Sequence, residues 1–162
     1  MSTKKRILLI ITGGIASYKT LDLIRRLRER GYSVRCLLTK GGSEFVAPLS
    51  LAALSGQKVY DGLFSLTDEV EMGHIRLSRE ADLLLVAPAT ANFIAKMAVG
   101  IADDLATTTI LATNKPVMIA PAMNVRMWDG VVTNTKVFMI EIGGLLLIGA
   151  IEKQKTPVNM EI

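Results

Sequence analysis

RILLIITGGIASYK, residues 6 to 19, is the stretch that decides the fold of this chain. Residues 7 to 11 of this stretch are all apolar, which is typical of a central parallel strand that is buried on both faces. Gly13-Gly14 then turns the chain, and residues 15 to 30 have the apolar spacing of an amphipathic helix. A buried strand followed directly by a helix is the repeating unit of layered α/β proteins.

The same alternation continues along the chain and predicts a doubly wound, Rossmann-like (flavodoxin-like) α/β domain with a parallel sheet and helices on both faces. One such domain is expected over residues 1–162, with a divergent and loose segment at 131–162. Further strands are predicted at 33–38, 83–87 (ended by Pro88), 117–120 and 145–148, and further helices at 43–55 (capped by Ser43), 73–79, 90–99 and 103–113, while 131–142 could be either.

Composition excludes several classes of protein. Half of the 162 residues are hydrophobic and 5% are aromatic, which indicates a mostly aliphatic core. No apolar run is as long as a membrane span, and the run ILLII near the N-terminus is too short for a signal peptide, so a cytoplasmic protein is expected. A single cysteine and a single histidine exclude a disulfide framework, a thiolate zinc cluster and a multi-histidine metal site.

The net charge of +4 is mild, and its most basic segment is RRLRER at residues 25 to 30. This segment lies in a predicted amphipathic helix, so we interpret it as a solvated helix face. A nucleic-acid groove would need a longer basic stripe with interleaved aromatic residues, and no such stripe is present. Neither a nucleic acid nor a membrane is therefore expected as a partner.

The four strand ends of the predicted sheet are rich in small and polar residues. They read TGGIASYK (12–19), TKGG (39–42), APATANF (87–93) and APAMN (120–124). Ligands of such folds bind outside the carboxyl ends of the strands, and helix starts favour anions. Gly13-Gly14 allows close backbone approach to a phosphate, while Thr39, Thr90 and Asn92 can add hydrogen bonds.

Each strand end alone could be an ordinary tight turn between a strand and a helix. The four together predict a phosphate-bearing ligand with a flat ring. The spacings GxGxxG and GxxxxGK[ST] are absent, and no acidic residue ends the second strand. A mononucleotide such as FMN therefore fits the sequence better than NAD or ATP.

Four segments in this order, GGIASYK, MGHI, PATANF and PAMNVRMW, resemble the flavin-dependent cysteine decarboxylases. The similarity is strongest to the branch that decarboxylates phosphopantothenoylcysteine, and it covers roughly residues 6 to 130. PAMNVRMW matches every fixed position of the family signature PxMNxxMW, which the related prenyl-flavin synthases lack. The resemblance implies a single flavoprotein domain that binds FMN.

The resemblance also implies the roles of individual residues. His74 is the implied catalytic residue, since histidine can serve as acid, base or carboxylate partner. Asn124, which we expect to be a buried amide, and Met127 are implied to bind the substrate. Met123, Met127 and Trp128 are expected to fill the core. The implied cofactor-binding residues are Gly13, Gly14, Ile15, Ser17, Thr39, Lys40, Pro88, Thr90, Ala91, Asn92, Phe93 and Ala122, and no metal is implied.

The implied reaction is decarboxylation of 4′-phospho-N-pantothenoylcysteine toward 4′-phosphopantetheine in coenzyme A biosynthesis. The cysteinyl thiol is oxidised by FMN to a thioaldehyde, carbon dioxide is lost to leave an ene-thiolate, and a protein cysteine assists the final reduction. The family holds that cysteine in an ACG motif, which this sequence lacks. Cys36 is expected to be an inert core thiol, so the last reduction is expected to be impaired.

Three alternatives stay open at this point. A peptidyl-cysteine decarboxylase of the lantibiotic type would stop at the oxidised ene-thiol. A non-catalytic flavin-binding regulatory subunit would release no carbon dioxide, and a generic nucleotide-binding module would retain another nucleotide. The resemblance further implies a homotrimer or a dodecamer with FMN at the subunit boundary, a phosphorylated cysteine conjugate as substrate, and a separate phosphopantothenoylcysteine synthetase as a partner.

Overall fold

A computed structural model gives the structure of the protein and describes residues 4–61, 70–130 and 146–147. Its centre is a parallel sheet with the strand order β2-β1-β3-β4-β5. The strands are β1 (Arg6–Ile11), β2 (Ser33–Leu38), β3 (Leu83–Ala89), β4 (Val117–Pro121) and β5 (Leu146–Leu147). The predicted doubly wound parallel sheet is therefore confirmed.

Helices connect the strands. A short 3-10 helix (Ile15–Tyr18) precedes α1 (Lys19–Glu29), and the following helices are α2 (Lys40–Ser43), α3 (Pro48–Ser55), α4 (Val70–Glu80), α5 (Ala91–Val99), α6 (Leu105–Leu111) and α7 (Val125–Trp128). The prediction for 131–142 and the predicted loose tail lie outside the described residues. In the described part of the chain no helix combines the length and the apolar character that crossing a membrane requires.

Two hydrophobic cores lie on opposite faces of the sheet, because successive side chains of a strand point in opposite directions. Leu8 and Ile10 of β1 pack on the face that is covered by α4, α5 and α6. Ile7, Leu9 and Ile11 pack on the face that is covered by α1 and α3. The strand is buried on both faces, which is why it reads as a continuous apolar run.

Two boundaries near β2 and β3 differ from the prediction. Thr39 rather than Ser43 caps a helix, and a second helix begins separately at Pro48. Proline is suited to the first turn of a helix, so it starts α3 instead of bending a longer one. Pro88 does not end β3, because an irregular register between Val86 and Ala89 accommodates a residue without an N–H group.

Two helices also have other boundaries than predicted. The predicted helix over 15–30 is divided into a 3-10 turn and α1, and α4 begins at Val70 rather than Gly73. Arg25 and Arg26 are exposed and form ion pairs with Asp22, which confirms that this segment is a solvated helix face.

Gly42 is the tightest glycine of the strand ends. A Cβ atom on Gly42 would lie 2.6 Å from the carbonyl oxygen of Ile11 and 2.7 Å from Cδ1 of Leu38. Gly42→Ala is therefore expected to lower the free energy of unfolding by about 2 kcal/mol, as overpacked core substitutions do. Urea denaturation measures the change.

The matched control is Gly41→Ala, whose Cβ would meet Cα of Gly13 at an ordinary 3.6 Å. We expect the control to change the free energy of unfolding by less than about 1 kcal/mol. Equal effects of the two substitutions would contradict the close packing of Gly42 against β1.

Candidate functional site

The loops that follow β1, β2 and β3 contact one another. A Cβ atom on Gly13 would lie 3.2 Å from the carbonyl oxygen of Gly41, so the two loops approach backbone to backbone. Gly14 has φ of 108°, which favours glycine, and a Cβ there would lie 3.8 Å from Cγ2 of Thr90. We call these three segments, each of which joins a strand end to the start of the next helix, the cradle: residues 12–18, 39–42 and 88–92.

Thr12, which the sequence did not single out, links two loops of the cradle. Its hydroxyl donates to the carbonyl oxygen of Pro88 at 2.5 Å and accepts from the N–H of Thr90 at 3.2 Å. Its own carbonyl accepts from the hydroxyl of Ser17 at 2.7 Å. A polar residue directly after an apolar strand was the signal that could have identified it.

The loop after β4 joins the same edge of the sheet. The N–H of Ala122 donates to the carbonyl oxygen of Ala89 at 3.0 Å, so the fourth strand end lies beside the third. The structure therefore brings together the predicted residues Gly13, Gly14, Thr90 and Ala122, which are distant in sequence.

Two threonines of the cradle cap helices. The hydroxyl of Thr39 accepts from the N–H of Gly42 and donates to the carbonyl oxygen of Ile11, so its proton is already used within the protein. The hydroxyl of Thr90 accepts from the N–H of Phe93 at 3.3 Å and keeps its own proton. The first N–H groups of α5 have no carbonyl one turn earlier in the helix to accept them.

The remaining predicted cofactor residues divide into exposed and buried ones. Ile15, Lys40 and Asn92 are exposed, and Ala91 is half-buried. Ser17 and Phe93 are buried: the Ser17 hydroxyl donates to the carbonyl oxygen of Thr12 and the Phe93 ring packs in the core, so their contact with the cofactor stays a prediction. Pro88 is buried within β3, and its carbonyl oxygen accepts the hydrogen bond from the Thr12 hydroxyl.

Asn124 is exposed, so the expectation of a buried amide is wrong. Its side-chain oxygen Oδ1 accepts from the N–H of Met127 at 2.8 Å and caps α7. This cap fixes the amide plane and leaves the NH2 group, which carries two donors, unused by the cap.

The methionines and the tryptophan of PAMNVRMW behave differently from one another. Met123 and Trp128 pack against the hydrophobic core, as predicted. Met127 is 46% exposed, so the expectation that it fills the core is wrong. Its position beside Asn124 leaves an apolar side chain on the surface next to the free amide.

His74 is half-buried on α4, three and four residues before the buried Leu77 and Ser78, and so it lies on the same side of the helix. α4 ends where β1 and β3 begin, since the N–H of Asp82 donates to the carbonyl oxygen of Arg6. His74 lies on α4 and is not one of the residues that form the cradle.

Cys36 is fully buried in β2, which confirms that it is a core thiol. Burial raises the pKa of the Cys36 thiol to about 12, although a hydrogen bond with Ser55 lowers it slightly. The thiol is therefore protonated at neutral pH and is a poor nucleophile, because only the thiolate reacts readily.

We expect Cys36 to resist alkylation by a small thiol reagent in the folded protein at pH 8 and to react fully in denaturant. The measurement is a mass spectrum after timed exposure to the reagent. Ser43→Cys, at an exposed position of α2, is the control and should be labelled in the folded protein. Rapid labelling of Cys36 under native conditions would contradict its burial.

Comparison with known proteins places these observations in a family. A family model described as Flavoprotein matches residues 1–158, which extends beyond the similarity predicted for 6–130. The chain is 48% identical to the coenzyme A biosynthesis bifunctional protein CoaBC of Vibrio vulnificus and 47% identical to that of Escherichia coli, in both cases over 145 residues. Each alignment covers 90% of this chain but 36% of the relative, so the chain spans about a third of their length.

Solved structures give the same result. The FMN-dependent cysteine decarboxylase SpaF superposes with a TM-score of 0.83 at 30% identity, covering 88% of this chain and 82% of SpaF. A cysteine variant of a PPC decarboxylase, complexed with pantothenoylaminoethenethiol, gives a TM-score of 0.76 at 33% identity, covering 93% and 85%. These matches confirm the predicted fold, the predicted resemblance and a flavin as the class of cofactor. The chain belongs to the flavoprotein family.

Proposed function

We propose that the chain binds FMN at the cradle and decarboxylates 4′-phospho-N-pantothenoylcysteine in coenzyme A biosynthesis. The observation that carries this proposal is the contact of the two glycine loops with each other and with Thr90 at the start of α5. The relatives named for coenzyme A biosynthesis and the PPC decarboxylase structure support the choice of substrate.

The cradle fits a phosphate group. Gly13 and Gly14 present backbone without side chains, and an alanine at Gly13 would press against Gly41. The N–H groups of Ala91 and Asn92 begin the nine-residue helix α5, whose dipole favours negative charge, and the Thr90 hydroxyl can donate. Lys40 is exposed at the start of α2 and adds positive charge. We propose that these groups hold the FMN phosphate, with Ile15 and Ala122 beside the ring.

The loop after β4 is proposed to bind the substrate. Because Oδ1 of Asn124 is engaged by the N–H of Met127, the amide presents its NH2 donors outward. Two donors suit a carboxylate, and we propose that Asn124 orients the carboxylate that leaves as carbon dioxide. Met127 offers an exposed apolar surface for the chain of the substrate. FMN, when bound, supplies the two-electron oxidation of the substrate thiol.

His74 is proposed to be the catalytic acid or base, acting in a neighbouring subunit. His74 is on α4 and is not one of the residues that form the cradle, so we propose an assembly in which another chain completes the site. We propose a homotrimer, alone or as four trimers in a dodecamer, with FMN at the boundary between chains. A histidine that faces the substrate there can accept the proton released in thiol oxidation.

Cys36 does not fit the role of a reducing cysteine, because its thiol is buried and protonated. Within these 162 residues it is the only thiol. We therefore propose that these residues carry the reaction to the ene-thiol, and that completing the reduction needs a thiol from outside them. A phosphopantothenoylcysteine synthetase, fused or separate, is the proposed partner that supplies the substrate.

The experiment is to purify the protein, record its visible spectrum, identify the released chromophore and then measure carbon dioxide release from 4′-phospho-N-pantothenoylcysteine. A flavin spectrum and carbon dioxide release support the proposal. Colourless protein that does not bind added FMN contradicts it, and FMN binding without release favours a non-catalytic flavin-binding subunit. The product mass separates the ene-thiol from the saturated thiol.

One further substrate belongs in the same assay. The second candidate is a peptide ending in cysteine, the substrate of the peptidyl-cysteine alternative above, and the likeness to the cysteine decarboxylase SpaF, with a TM-score of 0.83, leaves it open. If only the peptide is turned over, the proposed phosphopantothenoyl substrate is wrong, while the proposed FMN site still stands.

A further inference from the structure

We propose that Thr12 is a positioning residue of the FMN site, because its hydroxyl holds the start of α5 against the Gly13-Gly14 turn. The inference rests on the proposed FMN site and adds a residue that touches no ligand itself. Thr12 is 2% exposed, so it acts through the loops that it joins.

The hydroxyl of Thr12 uses both kinds of hydrogen bond that a hydroxyl can make. It donates to the carbonyl oxygen of Pro88 and accepts from the N–H of Thr90. These partners are 76 and 78 residues away in sequence, and they flank the point where β3 passes into α5. One side chain thus closes the junction between the first and third strand ends.

This junction determines which N–H groups remain for a phosphate. The N–H of Thr90 is taken by Thr12, and the N–H of Phe93 is taken by the Thr90 hydroxyl. The N–H groups of Ala91 and Asn92 lie between these two anchored positions, so their direction is set by the anchors.

The other side of Thr12 is anchored as well. Its carbonyl oxygen accepts from the buried hydroxyl of Ser17, which fixes the 3-10 turn after Gly14. Loss of the Thr12 hydroxyl would leave the Pro88 carbonyl and the Thr90 N–H without this partner, and both groups lie in a largely buried junction. The start of α5 would then shift relative to the glycine turn.

The test compares Thr12→Val, which removes the hydroxyl at nearly constant volume, with Thr12→Ser, which restores it. Thr109→Val is the matched control, since Thr109 is also fully buried and its hydroxyl donates to Leu105 within α6, away from the cradle. The readouts are the FMN dissociation constant from flavin fluorescence, the hydrogen-exchange rate of the Thr90 amide without FMN, and urea denaturation.

We expect Thr12→Val to raise the FMN dissociation constant about 10- to 100-fold, and to speed exchange of the Thr90 amide at least about tenfold. Thr12→Ser should stay within about threefold of the unmodified protein, and Thr109→Val should lose stability without a change in FMN affinity. Thr12→Ala gives the same comparison if the valine variant does not fold.

The outcomes separate this inference from the proposed function. An unmodified protein that binds no FMN overturns both. An unmodified protein that binds FMN, together with a Thr12→Val variant that binds it equally well or changes only as Thr109→Val does, overturns the positioning role and leaves the proposed function standing.

Discussion

Asn124→Asp is expected to lower kcat/KM for 4′-phospho-N-pantothenoylcysteine about 100- to 1,000-fold without weakening the fold. Aspartate caps a helix as well as asparagine does, so the bond to the N–H of Met127 is retained. The NH2 donors are replaced by a carboxylate oxygen, which repels the substrate carboxylate instead of binding it. The measurements are initial rates of carbon dioxide release and urea denaturation.

Asn124→Ser is the companion variant, because serine also caps but brings no negative charge. The serine variant therefore measures the loss of the NH2 donors without added charge, and we expect it to lower kcat/KM about tenfold. An aspartate variant with unchanged kcat/KM would show that Asn124 is only the cap of α7 and would contradict its role in substrate binding.

His74→Asn is expected to reduce carbon dioxide release about 1,000-fold or more while FMN remains bound, since general acid or base catalysis contributes about 100- to 10,000-fold. The structure supports retention of FMN, because His74 lies on α4 and outside the cradle. The visible spectrum and the rate are measured on the same sample. Arg79→Gln, at an exposed position of the same helix, is the control and should keep full activity.

A mixture of two inactive variants tests whether His74 acts across a subunit boundary. If each site takes His74 from one chain and Asn124 from another, co-expression of His74→Asn with Asn124→Asp creates some sites with both native residues. Random assembly gives about a quarter of the sites, and activity should recover to about that fraction. Mixed assemblies that stay inactive would contradict a shared site.

The sheet could be predicted from the sequence because its strands are buried on both faces and read as apolar runs. The cap of α5 by Thr90 was also readable, since threonine before an apolar helix is a local signal. The separate start of α3 at Pro48 and the continuation of β3 through Pro88 could not be predicted from the sequence. Both depend on how the neighbouring segments pack, which local propensity does not contain.

The sequence predicted which strand ends form the candidate site, but it did not predict the hydrogen-bond partner or the burial of each side chain. The sequence did not indicate the role of Thr12 in linking two strand ends, nor that the Ser17 hydroxyl donates to the carbonyl oxygen of Thr12 and that Phe93 is buried. Asn124 caps α7 from the surface, whereas the sequence predicted a buried amide. In each case the hydrogen-bond partner lies within the chain, and the sequence pattern does not show whether a polar group faces protein or ligand.

The close approach of Gly13 to Gly41 has a consequence for how this protein can evolve. The glycine loops contact each other through backbone atoms, so a mutation can only add a side chain there. A Cβ atom at Gly13 would press on the carbonyl oxygen of Gly41. Natural variation is therefore expected to be strongly restricted in the glycine loops and freer around Met127, whose side chain is exposed. New substrate preferences would arise at that second surface, while the glycine loops would change little.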